Sequence, residues 1–67
     1  MKYDPELDCW VVILGGKEYA IHCGEYFNLS FVEKSVNCRL ERDKNWYVII
    51  YGVHFILHPK EIYMIKQ

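Results

Sequence analysis

The stretch that most constrains the fold is Arg39-Leu40-Glu41-Arg42-Asp43-Lys44-Asn45-Trp46-Tyr47-Val48-Ile49-Ile50-Tyr51. Two apolar-alternating runs meet there at a polar Asp-Lys-Asn corner, which is the sequence form of a β-hairpin. Strand signals of the same kind recur from Cys9 to Lys66, and no window of a dozen residues carries a helical stripe that competes with the alternation. The chain is therefore predicted to be all-β. At 67 residues it has room for one domain and one core. A domain this small has little buried area to spare, and a 52% hydrophobic, 16% aromatic composition offsets that handicap.

The turn signals divide the chain into short strands. Met1 to Asp8 is polar and contains Pro5, so it reads as an irregular lead-in or an edge segment. Cys9 to Leu14 and Lys17 to His22 flank Gly15-Gly16, a pair that takes positive φ readily and suits a two-residue hairpin. Cys23-Gly24-Glu25 breaks the second run. Tyr26 to Phe31 then alternates, with Phe27, Leu29 and Phe31 sharing one face. After a turn at Val32-Glu33-Lys34, Ser35 to Glu41 alternates again and buries Val36, Cys38 and Leu40. Trp46 to Tyr51 is apolar on both faces, as a central strand would be. Gly52 suits a bend at a barrel corner, and Val53 to Leu57 continues as strand or forms one edge of a final hairpin. His58 to Glu61 suits one 3₁₀ turn opened by Pro59, and Ile62 to Lys66 closes the molecule. Five or six short antiparallel strands with one 3₁₀ turn before the last predict a small, partly closed barrel, because closure protects apolar strand edges.

Three features also resemble a family of small, uncharacterised bacterial proteins with an SH3-like barrel, found in Gram-positive bacteria and their mobile elements. They are Cys23-Gly24-Glu25 after a strand, Arg39-Leu40-Glu41 in the middle, and Trp46-Tyr47-Val48 across the hairpin. The resemblance covers Trp10 to Ile65 and implies a fold with no assigned activity. Where that family often has a Gly-Trp turn before its Arg-x-Glu strand, this chain has Lys34-Ser35-Val36. More distantly, Trp46-Tyr47 is similar to the paired aromatics of SH3 domains, and Pro59 to Tyr63 to their 3₁₀ turn and final strand. The Gly15-Gly16 connection has no acidic counterpart of the peptide-binding loop, so proline-rich recognition does not carry over.

Charge and cysteine usage narrow the function classes. Eight Lys plus Arg against nine Asp plus Glu give a net charge of −1, with the two signs interleaved. This disfavours nucleic acid, whose binders concentrate positive charge. Cys9, Cys23 and Cys38 are odd in number and lack CxxC spacing, which argues for reduced thiols in a cytoplasm. The N-terminal residues lack a signal-peptide layout, and Cys9 to Leu14 is too short to span a bilayer.

No catalytic set, metal site or cofactor is expected. Zinc would need Cys23 and Cys38 to join His22, His54 or His58. His54 and His58 would lie about 13 Å apart along a strand, too far to share an ion. Cys23 near a His is the minimum for thiol chemistry, but a barrel of this size spends its interior on its own core. Gly15-Gly16 lacks the helix and the Lys-Ser/Thr pair of a phosphate loop.

The aromatic, charged hairpin remains, and its exposed set depends on turn length. A three-residue Asp43-Lys44-Asn45 loop pairs Leu40 with Val48 and turns Trp46, Val48 and Ile50 inward; a two- or four-residue loop reverses the sets. The SH3 likeness favours the second arrangement, with Trp46 exposed. Trp46, Tyr47, Arg39, Glu41 and Tyr26 are thus the candidate binding residues for a protein partner, since exposed aromatics with Arg are the composition of hot spots. The alternative is nucleic acid stacked on Tyr26, Tyr47 and Trp46, with Lys34, Arg39, Arg42 and Lys44 on phosphate. An apolar edge within Ile49 to Phe55 would allow a weak homodimer; otherwise the chain is a monomer.

Overall fold

A computed structural model describes residues 1–66. It contains eight strands: β1 (Lys2–Asp4), β2 (Cys9–Leu14), β3 (Lys17–Ile21), β4 (Tyr26–Phe31), β5 (Lys34–Arg42), β6 (Trp46–Ile50), β7 (Val53–Ile56) and β8 (Ile65–Lys66). All pairings are antiparallel. One sheet has the order β1-β2-β3 and the other β7-β6-β5-β4-β8. The two pack across a shared core as a small barrel-like, all-β fold, and no helix occurs among the described residues.

Three hairpins turn on two residues each, one of them at Val32-Glu33, where Phe31 pairs with Lys34 and the turn is a residue shorter than expected. Gly15-Gly16, at φ +58° and +80°, joins Leu14 to Lys17, as the Gly-Gly pair predicts. Tyr51-Gly52, at φ +49° and +77°, joins Ile50 to Val53. Gly52 is therefore not a bend within one strand. It completes a tight turn that separates β6 from β7, which is one reason the strands number eight rather than five or six. The other reason is the lead-in. Lys2–Asp4 pairs with Cys9–Val11 as an edge strand despite Pro5, because the proline falls just beyond the paired residues. The last strand is shorter than expected, Ile65–Lys66, and the turn before it is closed by Glu61 N–H donating to His58 C=O at 2.9 Å.

The core forms where the inner faces meet. Tyr3, Trp10 and Ile21 lie side by side across the first sheet. Leu29, Cys38, Leu40, Trp46, Val48 and Ile50 face them from the second, and Leu57 completes the cluster. Trp10 is wholly buried, with Tyr3 and Tyr63 packed edge-on at ring distances of 5.6 and 5.7 Å. The sheets are tied at two corners. Around His22–Glu25, Gly24 N–H donates to Leu40 C=O at 2.7 Å and Leu40 N–H to Glu25 C=O at 3.0 Å. Elsewhere, Tyr63 N–H donates to Met1 C=O at 3.0 Å. The burial of Met1 beside this contact is not legible in a segment that reads as polar.

Val32 is the outlier. It sits at φ +49° in the β4–β5 turn with its side chain fully in water. A β-branched residue in the left-handed region is strained by about 1–3 kcal/mol, and here no packing offsets the cost. Val32→Asn, which suits that conformation, is expected to raise the melting midpoint by roughly 4–8 °C for each 1 kcal/mol of strain released. A thermal melt with an unchanged or lower midpoint would show that the turn stores no such strain.

Candidate functional site

The loop at Asp43–Asn45 decides which residues reach solvent. Arg42 pairs with Trp46 and Leu40 with Val48, so the loop has three residues. Trp46, Val48 and Ile50 accordingly point into the core, and all three are buried. The SH3 likeness therefore misplaced Trp46. With a three-residue loop its side chain shares the core side of the sheet with Leu40, and it cannot belong to an outer binding face.

The other four candidates do come together. Tyr26, Arg39, Glu41 and Tyr47 occupy the outer face of the second sheet. Tyr26, Arg39, Ile49 and His54 form one cross-strand row, and Glu41, Tyr47 and Ile56 the next. The Arg39 guanidinium carbon lies 6.0 Å from the centre of the Tyr26 ring. Its Nε is 2.9 Å from Glu41 Oε2, off the N–H axis, so the contact is ionic rather than a directional hydrogen bond. Tyr26 above all, then Glu41 and Tyr47, hold the guanidinium in its charged form beyond its usual range. Tyr47 stacks on His54 with ring centres 4.7 Å apart. Ile49 faces outward as the three-residue loop requires, whereas His54 and Ile56 join this face only because β7 folds back on β6. A tight turn at Tyr51-Gly52 would have placed His54 opposite Ile49.

A second polar cluster roofs Trp46. The Arg42 guanidinium sits 4.8 Å from the Trp46 ring and pairs with Asp8 at 2.5 Å, while Tyr3 Oη–H also donates to Asp8. Asp8 lies at φ +51° in the β1–β2 loop, so this cluster joins the first sheet to the end of β5. The Tyr3 hydrogen bond, then Arg42, holds the Asp8 carboxyl below its ordinary range.

Neither the thiols nor the imidazoles gather into a reactive centre. Cys38 is buried, donates its S–H to Phe27 C=O at 3.5 Å, and has its pKa pushed up to about 11 by desolvation. Cys23 is exposed in the corner turn, beside His22. Glu25 Oε1 accepts from both His22 N–H at 2.8 Å and His22 Nδ1 at 2.7 Å, which pins the turn rather than arming the thiol. Among the described residues no three His, Cys, Asp or Glu side chains converge as a metal site requires. Nor is any helix long and apolar enough to cross a membrane.

The depressed pKa of Asp8 sets a pH window. Its stabilisation is complete above about pH 4, the ordinary carboxylate range, and is lost as pH falls through the lower folded value. Asp8→Asn keeps a residue that tolerates positive φ and removes the charge. The variant is expected to melt below the wild type at neutral pH, with the gap closing as the pH falls below the ordinary carboxylate range. A gap independent of pH in thermal melts would separate Asp8 from the Arg42 pair.

No curated protein and no solved structure matches the chain. A family model described as a domain of unknown function, DUF5348, matches residues 1–67. That match spans the strands, the Asp8–Arg42 tie and the outer face alike, and the chain belongs to the DUF5348 family.

Proposed function

We propose that this is a non-enzymatic interaction module that binds another protein through the outer face of its larger sheet. The observation that carries the reading is the contiguity of Tyr26, Arg39, Glu41 and Tyr47, with Ile49, His54 and Ile56 filling the spaces between them. Aromatic rings and an Arg held in place by neighbours on a rigid sheet lose little side-chain freedom on binding, which is what makes such residues hot spots. The Arg39–Glu41 pair leaves the face almost neutral, suiting a protein surface better than a polyanion. Bacterial origin, association with mobile elements and a cytoplasmic setting belong to the same proposal; three free cysteines support a reducing compartment.

The nucleic-acid reading is weaker than composition alone made it. Arg39 is paired with Glu41 and Arg42 with Asp8, leaving Lys34 and Lys44 of the four bases proposed to hold phosphate. Trp46 also drops out of the stacking platform because it is buried.

Tyr26→Ala with Tyr47→Ala is expected to weaken capture of the wild-type partner by about 30-fold or more, at hot-spot magnitude, with an unchanged circular dichroism spectrum. Retention of the same partner by the folded double variant would rule out this face. Single-stranded oligonucleotide should not bind even at about 50 mM salt, where phosphate contacts are strongest; tight, steeply salt-dependent binding would favour the alternative. In thiol titration of the native protein, Cys23 should react promptly and Cys38 only on unfolding. Rapid modification of Cys38 would place it outside a closed core.

A further inference from the structure

Strand β7 is built like the middle of a sheet but stands at its edge. Val53 and Phe55, on the core side, are 54% and 50% exposed, and Ile56, on the outer side, is 57% exposed. Proteins ordinarily blunt a free edge with charge, proline or a bulge. The other edges follow that rule: β1 carries Lys2 and Asp4, β3 carries Lys17 and Glu18, and β8 carries Lys66. On β7 there is no such residue, and none from Trp46 to Pro59 is Asp, Glu, Lys or Arg.

The backbone gives the free edge a definite register. Leu57 N–H donates to Trp46 C=O at 2.8 Å, so Leu57 points its polar groups at β6. By alternation Val53 and Phe55 do the same, and the N–H and C=O groups of His54 and Ile56 point away from the molecule. We propose that β7 pairs antiparallel with β7 of a second copy of this chain, across a two-fold axis at Phe55. His54 of each copy then exchanges two backbone hydrogen bonds with Ile56 of the other, and the two Phe55 side chains meet in the closely spaced non-hydrogen-bonded position. The two five-stranded sheets become one.

Charge identifies the occupant. Across a two-fold axis at Phe55 a charge at that position would face its own copy, and one at a flanking position would recur on both sides of the axis. An uncharged strand flanked by uncharged turns avoids both. Tyr51, Val53, Phe55 and Ile56 together offer roughly 500 Å² per copy, or about 1,000 Å² for the pair, near the lower bound for a specific interface. The association is accordingly reversible and concentration-dependent. It shares Ile56 with the outer face, but it rests on the backbone edge of β7, whereas the outer-face reading rests on Tyr26 and Tyr47 of β4 and β6.

Sedimentation equilibrium between about 10 μM and 1 mM, a range that brackets weak association, tests the proposal directly. The weight-average mass should rise from the 8.1 kDa of one chain towards twice that value. Phe55→Lys, which sets like charges on the axis, should hold it at one chain throughout. His54→Pro removes an outward N–H without breaking the β6–β7 ladder, so it should have the same effect even if Phe55→Lys fails to fold. Tyr26→Ala with Tyr47→Ala should still dimerise, which separates this result from the binding proposal. A wild-type protein monomeric at 1 mM, or a dimer unaffected by the folded β7 variants, overturns the inference.

Discussion

The structure depends on the complete burial of Trp10 between two sheets that share one small core. Burying a Trp side chain contributes about 4–6 kcal/mol at 25 cal/mol per Å². That outweighs the roughly 1–3 kcal/mol attached to its indole N–H, which is buried without a partner. Tyr3 reaches the ring from β1 and Tyr63 from the segment before β8, so residues far apart in the chain converge on one side chain. The polar ties lie at the rim of this contact, where Asp8, Arg42 and the Tyr3 hydroxyl close over Trp46. The apolar interior supplies the cohesion, and the exposed ion pair fixes how the β1–β2 loop meets β5.

Once one face of the larger sheet is committed to Trp10, parity determines the other. Side chains alternate along a strand, so the three-residue loop at Asp43–Asn45 assigns every residue of β6 in a single step. Trp46 goes inward because Leu40 and Val48 are opposite each other, and Tyr47 goes outward for the same reason. The outer residues then acquire their contacts from cross-strand neighbours: Arg39 from Tyr26 and Glu41, Tyr47 from His54. A rigid, nearly neutral aromatic surface is thus a by-product of how the core is filled.

The period-2 pattern carried the all-β class, the Gly15-Gly16 hairpin and the alternation of β4 and β5, because each is a local relation between neighbouring residues. Trp46 shows where local reasoning stops. Both loop lengths suit the same residues, and only the packing of Leu40 and Val48 against the first sheet selects between them. Gly52 shows a second limit, since one glycine serves a bend or a turn equally well. Here Tyr51 accepts φ +49° and completes the turn. The burial of Met1 and the reach of Asp8 to Arg42 were illegible for a third reason: they join positions distant in sequence and leave no periodic trace.

Apolar surface that the core cannot absorb is not distributed evenly. Tyr51, Val53, Phe55 and Ile56 set one group of it together on β7 and the turn before that strand. With so few residues, covering β7 would need another strand, and the chain has none to give because β8 is engaged by β4. Charge at Val53 or Phe55 would protect the edge but would stand directly opposite the buried Ile50 and Val48 and forfeit apolar contact with them. An uncharged strand therefore suits its buried neighbours while leaving its free side adhesive. That conflict between interior and edge is what a second copy would resolve, supplying the strand that the chain itself lacks.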